Sequence, residues 1–197
     1  MFQVSVNFKF YFLSLDLSTI DNSWTLFLDR DGVINVEKRG TYVLHVSGFR
    51  FYDGVQLALQ KLSNIFGVIV MATNQRGVAK GSMTLENLHD IHTYMLEEVV
   101  KENGRIDKIY YCADLNDESP NRKPNPGMAL QAQKDFPKID FTKSIMVGNS
   151  ISDMQFARNA GMYSVFIAST DPETEFPHEL IDARFNNLLE FANAIQH

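Results

Sequence analysis

The sequence predicts an α/β fold, a central parallel sheet with helices on both faces, and three observations predict it. Short apolar runs alternate with stretches of helical period along most of the chain. Four of those apolar runs end in polar residues able to do chemistry, and in a parallel sheet the loops after successive strands gather on one edge. The length, 197 residues, suits one domain with a full core.

Taken in order, residues 1–20 stand apart. Phe2, Val4, Val6, Phe8, Phe10 and Phe12 fall on even positions, the period-two mark of a strand with one buried face. The phase then slips to Leu13, Leu15 and Leu17, which implies a bulge or break near Tyr11–Leu13. The segment is expected to be an appendage (an extra strand or a disordered extension) outside a catalytic domain of residues 21–197. Trp24 to Leu28, apolar except for Thr25, is the first strand, with Asp29 at its carboxyl end and Gly32 turning the chain away. Asp53–Asn64 is a helix, with Asp53 and Gln56 at capping-box spacing. Phe66–Thr73 is the second strand. Thr84–Asn103 is a long helix capped by Thr84, striped by Leu88, Ile91, Met95 and Val99 and ended by Gly104. Ile109–Cys112 is a third strand and Asn125–Phe136 a helix with proline in its first turn. Ser144–Gly148 is a fourth strand, and Ile151–Ala160 is a helix stopped by Gly161. Tyr163–Ala168 is a fifth strand, Ala183–Asn186 a candidate sixth, and a last helix runs to about Ile195.

Composition narrows the function. The net charge is -6 with pI about 5.3 and no basic tract, which argues against nucleic acid as a partner. One cysteine, Cys112, excludes an internal disulfide framework and suits a reducing, cytoplasmic setting. No apolar run approaches the roughly 18 residues that cross a membrane, so no membrane partner is expected.

The strand ends carry Asp29 and Asp31, then Thr73 and Asn74, then Arg122 and Lys123, then Asn149 and Asp153. Each piece alone has an ordinary explanation as a turn, a solvated loop or a helix cap. Together, each after its own strand, they form a set for phosphoryl chemistry. One carboxylate can attack phosphorus and a second can protonate the leaving oxygen and later activate water. Thr73 and Asn74 can donate to phosphoryl oxygens, and Lys123 can meet their charge. Carboxylates facing a phosphate call for a hard cation, and Mg²⁺ prefers oxygen ligands.

Asp29-Arg-Asp-Gly-Val, Thr73-Asn-Gln, Arg122-Lys-Pro and Gly148-Asn-Ser-Ile-Ser-Asp-Met154 resemble the four motifs of the haloacid dehalogenase superfamily of phosphatases. The wording is most similar to the branch of heptose-bisphosphate and histidinol-phosphate phosphatases, from about Trp24 to the C-terminus. The resemblance implies a Rossmann-like three-layer fold without a large cap domain. It implies Asp29 as nucleophile, Asp31 as general acid/base, and Thr73 and Lys123 steadying the transferred phosphoryl. It implies a Mg²⁺ site from Asp29, the Asp31 carbonyl, Asn149 and Asp153. Substrate contacts would come from Asn74, Arg122 and the Glu37–Tyr42 loop, with Glu37 and Tyr42 its named members.

Two departures from the family pattern stand out. Where the family commonly holds structural zinc, this chain has Cys112-Ala-Asp114 and Ser119-Pro-Asn121, so no structural zinc is expected. At 149 the family usually has aspartate, and asparagine offers an oxygen without the charge. The expectation is a Mg²⁺-dependent phosphatase of a small phosphorylated metabolite, foremost a heptose bisphosphate, with histidinol phosphate next, acting as a monomer or weak dimer. A binding or regulatory protein with a weakened site is the reading of another class. Asn149 favours that reading, and the retention of Asp29, Asp31, Thr73 and Lys123 opposes it.

Overall fold

The computed structural model describes residues 15–195. The period-two stretch at residues 2–12 lies outside them. Six strands, β1 (Thr25–Leu28), β2 (Val68–Asn74), β3 (Lys108–Cys112), β4 (Ser144–Gly148), β5 (Tyr163–Ile167) and β6 (Ala183–Phe185), form one sheet in the order β3-β2-β1-β4-β5-β6. Every pairing is parallel. The helices are α1 (Val55–Ser63), α2 (Arg76–Ala79), α3 (Leu85–Lys101), α4 (Gly127–Asp135), α5 (Ile151–Ala160) and α6 (Leu188–Ala194).

The strand pleat sorts the core into two layers. Leu26, Leu28, Ile69, Met71, Ile145 and Val147 face one side, where they meet α1, α3 and α6 through Leu59, Leu88, Ile91, Met95 and Phe191. Phe27, Val68, Val70, Ala72 and Met146 face the other, where α4 and α5 bring Met128, Ala132, Phe156 and Ala157. Burying a large apolar side chain of this kind contributes about 1.5–3 kcal/mol. The result is the three-layer α/β arrangement that the alternation predicts. The connection from β1 to α1 holds only a single 3-10 turn at Val46–Gly48 and isolated bridges.

Element boundaries follow the sequence signals with instructive exceptions. Thr84 caps α3 as expected, its hydroxyl accepting from Asn87 N while the Asn87 side chain returns the bond. Gly161 ends α5 at φ +82°. The Asp53–Gln56 capping box does not form. Gly54, at φ 78°, is the N-cap of α1, and no side chain caps that helix. The four-residue α2 follows β2 directly and has no helical stripe long enough to read in advance. At the start of the described chain Ile20 is fully buried, and Leu15 and Leu17 pack against the core as partly buried side chains.

Candidate active site

The site begins where β1 ends. The Asp29 N–H donates to Val147 O at 2.9 Å, extending the ladder by one residue and fixing the aspartate at the carboxyl edge of the two central strands. On that edge Lys123 Nζ lies 2.8 Å from Asp29 Oδ1 and 2.6 Å from Asp153 Oδ1, its side chain only 2% exposed. A buried ammonium between two carboxylates is held because each charge has a partner; removal of one member of such a set is costly. Burial would lower the Lys123 pKa, but Asp153 and Asp29 outweigh it and raise it, so the amine stays charged. Burial pushes the Asp29 carboxyl above the usual carboxylate range against the pull of Lys123.

Each partner has its own support. Asp153 Oδ2 accepts from Ser150 N at 3.0 Å and Ser150 Oγ at 2.7 Å, within the capping box that starts α5. The helix reaches this close because Gly148 has no side chain. A Cβ there would sit 2.2 Å from Asp153 Cβ. Lys123 is placed through its backbone: Asn74 Oδ1 accepts from Lys123 N at 3.0 Å, and Asn74 Nδ2 donates to Lys123 O at 3.1 Å. Asn74, expected among the substrate contacts, instead uses its amide to staple the third loop to β2. Asp153, expected among the metal ligands, has both oxygens engaged by Lys123 and Ser150 and anchors the lysine.

Asp31 sits in a second network. Arg30 Nη2 lies 2.7 Å and Gln75 Nε2 3.0 Å from its Oδ2, and Asn35 Nδ2 lies 2.8 Å from its Oδ1. Burial would raise its pKa, yet the Arg30 charge and the donors Asn35, Gln75 and Arg30 hold it below the usual range. Gln75 Nε2 also donates to Thr73 Oγ1 at 3.0 Å, which ties the second strand's hydroxyl to the acid and leaves that hydroxyl's own proton for another acceptor. Arg30, itself 1% exposed, continues to His92 Nε2 at 3.2 Å.

The remaining expected residues lie around this centre. Asn149 packs on Gly32, which has φ +86° and no room for a Cβ. Its Nδ2 donates to Thr170 Oγ1 at 2.7 Å and reaches Glu37 Oε2 at 3.4 Å, so Glu37 approaches the site through Asn149. Arg122 Nε donates to Asp117 at 2.9 Å; Arg76 binds the same carboxylate, and Arg122 Nη1 is buried without a partner among the described residues. The Tyr42 ring lies under Lys80 Nζ, 5.5 Å from its centroid. Arg30, Asn35, Gln75, His92 and Thr170 are the contributors that sequence reasoning passes over. Gln75 had a signal, as the third letter of the Thr-Asn-Gln motif. Arg30 likewise lies inside the first motif, where it carries no role of its own, and Asn35, His92 and Thr170 had no signal beyond position.

The arrangement fits a hard cation. Among the described residues no donor occupies Asp29 Oδ2 or Asn149 Oδ1, and both belong to the oxygen class that Mg²⁺ takes. No group of three or more His, Cys, Asp and Glu side chains is gathered to hold a metal among those residues, so the set would mix carboxylate, amide and backbone oxygens. The stretch that carries zinc ligands in the family pattern is closed here by side-chain contacts. Ser119 Oγ donates to Asp114 Oδ2, Cys112 Sγ lies 3.7 Å from the same oxygen, and Asn125 Nδ2 donates to Ser119 O at 2.9 Å.

A parallel sheet with an aspartate at the end of its central strand, a second acid two residues on and a buried lysine defines a class: hydrolases of phosphoric monoesters. Comparison with known proteins bears this out. The HAD-hydrolase-like family model matches residues 120–186. The chain is 37% identical over 170 residues to a D-glycero-alpha-D-manno-heptose-1,7-bisphosphate 7-phosphatase of Campylobacter jejuni, covering 85% of this chain and 93% of that one. It is 33% identical to the D-glycero-beta-D-manno-heptose-1,7-bisphosphate 7-phosphatase of Escherichia coli K12, covering 87% and 93%. The structure of D,D-heptose 1,7-bisphosphate phosphatase from B. bronchiseptica, complexed with magnesium and phosphate, superimposes with a TM-score of 0.79 at 26% identity, covering 87% and 97%. The chain belongs to the haloacid dehalogenase superfamily of phosphatases, and it is a phosphoric monoester hydrolase.

Proposed function

We propose that this enzyme removes the 7-phosphate of a D-glycero-D-manno-heptose 1,7-bisphosphate, with Mg²⁺, through an aspartyl-phosphate on Asp29. The observation that carries the reading is Asp29 itself, held at the sheet edge against the buried Lys123, in a chain whose relatives at 33–37% identity bear that activity in their names. An Asp29 carboxylate oxygen attacks phosphorus as the bond from phosphorus to the sugar oxygen breaks. Arg30, Asn35 and Gln75 favour the ionised form of Asp31, so Asp31 takes up a proton from solvent as substrate binds and passes it to the leaving oxygen. Water then attacks the aspartyl-phosphate, Asp31 takes its proton, and phosphate leaves with Asp29 restored. Lys123 and the Thr73 hydroxyl meet the charge on the phosphoryl oxygens. Asp29, the Asp31 carbonyl and Asn149 would hold Mg²⁺, which when bound neutralises phosphate charge beside the carboxylates. Magnesium in the B. bronchiseptica structure supports this choice.

The test is phosphate release from the alpha and beta anomers of the bisphosphate, other sugar phosphates and histidinol phosphate, with and without Mg²⁺. One heptose bisphosphate should be preferred, with the 1-phosphate retained and no turnover without the cation. Asp29→Asn should fall to background while keeping its circular dichroism spectrum, with a lower melting temperature because Lys123 loses one of its two buried partners, and Asp31→Asn should lose about 10²–10⁴ in rate. Turnover by purified Asp29→Asn would sink the covalent mechanism.

A further inference from the structure

We propose that His92 is a positioning residue for the leaving-group step: its Nε2 accepts from Arg30 Nη1 and so aims Arg30 Nη2 at Asp31 Oδ2. The inference rests on Asp31 being the proton donor in the reading above. A guanidinium can only donate, so a ring nitrogen 3.2 Å from it must present a lone pair. His92 is therefore a neutral imidazole with its hydrogen on Nδ1. The guanidinium is planar, so fixing Nη1 fixes the plane and with it the direction of Nη2. Without His92 little else would hold that plane, because Arg30 Nε has no partner among the described residues. His92 is itself well held. It is 6% exposed, sits on α3 between the core residues Ile91 and Met95, and lies against the Tyr111 ring at 6.0 Å.

The consequence falls on the proton. A carboxylate offers about four lone-pair sites. Arg30 and Gln75 occupy two on Asp31 Oδ2, and Asn35 occupies one on Oδ1. One site on Oδ1 is left to carry the proton that goes to the leaving oxygen. A turned Arg30 opens a second place, on the other oxygen, and the proton is no longer directed. A neutral acceptor at 92 holds the cation without neutralising it, whereas a carboxylate there would compete with Asp31 for it.

The experiment compares kcat/KM on two esters, since that ratio reports only the steps through phosphoryl transfer to Asp29. From the heptose bisphosphate the P–O bond breaks to a sugar alkoxide that needs a proton; from p-nitrophenyl phosphate it breaks to a stable p-nitrophenolate that does not. His92→Leu should lose about 10-fold or more on the first and less than about 3-fold on the second, a fraction of the full general-acid effect. His92→Gln, whose Oε1 can reach the position of Nε2, should recover most of the loss. His92→Asn, polar but too short to reach Arg30, should behave like leucine and serves if the leucine variant does not fold. Equal losses on both esters, or glutamine as impaired as leucine, would overturn the proposal. A wild-type protein inert on all phosphate esters would defeat the phosphatase reading instead. The contact is then judged by ¹⁵N NMR of the His92 ring: a protonated Nδ1 and bare Nε2 are expected, and a protonated Nε2 overturns it.

Discussion

Asn149 keeps the shape of an aspartate and lacks its charge, and its surroundings show what the exchange does. Its Nδ2 donates to Thr170 and points toward the Glu37 carboxylate. An aspartate there would lose the donor to Thr170 and face Glu37 as a like charge, so the protein without metal should be less stable. The same charge should favour a cation. In a thermal-shift titration, Asn149→Asp is expected to melt lower than wild type without Mg²⁺ and to gain more from it, with half-saturation at about one-tenth the concentration. An unchanged Mg²⁺ response would remove Asn149 from the metal site. His92 gives a second residue-scale prediction. Burial first, then the Arg30 charge and more weakly His89, push its pKa down to about 3 from 6.5, against the pull of Asp31. Between those values the unfolded chain binds a proton that the folded chain does not, so stability falls as pH is lowered through that window, by at most about 1.4 kcal/mol per pH unit. Urea unfolding of His92→Gln should therefore lose at most about 2 kcal/mol less than wild type between pH 6.5 and 5. Neither Arg30 nor His92 is legible as a site residue in the sequence. Arg30 reads as a spacer between two aspartates, and His92 lies beside the apolar stripe of a helix, where a histidine is ordinarily core.

At the scale of elements the sequence was most informative where one strand end met one loop. Apolar runs long enough to be buried on both faces marked β1, β2, β4 and β5, and the polar residues just beyond them marked the edge that carries the site. The roles within that edge were less legible. Asn74 looks like a hydrogen-bond donor to substrate until the backbone of Lys123 is seen against it, 49 residues away. Asp53 and Gln56 have the spacing of a cap, but Gly54 turns the chain into α1 in a left-handed conformation, and neither residue is needed there. Gly148 is the element-scale counterpart, since it lets α5 approach β4. Gly148→Ala would place a methyl 2.2 Å from Asp153 Cβ, forcing the helix outward and Asp153 away from Lys123. The expected result is a loss of about 1–3 kcal/mol in chemical denaturation. The folded fraction should lose activity as well. A variant of wild-type stability and rate would show that the β4–α5 contact is looser than this.

For the molecule as a whole, two apolar layers around the sheet form the core, and the loop after β3 is expected to hold its shape without zinc. The stretch from Cys112 to Asn125 is closed by Asp114, Ser119 and Asn125, together with Arg76 and Arg122 around Asp117. Prolonged treatment with a zinc-selective chelator, followed by calorimetry, is expected to leave the melting temperature unchanged, and protein purified without chelators should carry no stoichiometric zinc. A drop of several degrees on chelation would locate a structural metal after all. The two bonds from Asn74 to the backbone of Lys123 have a further consequence. They index the lysine to β2, so its place depends less on the length of chain that leads to it. Changes of length before Asp117, with Asp117 and Ser119 kept, are therefore expected to leave the charge at the centre in place. Evolution, or an engineer, can vary the rim of the site there while the chemistry stays in place.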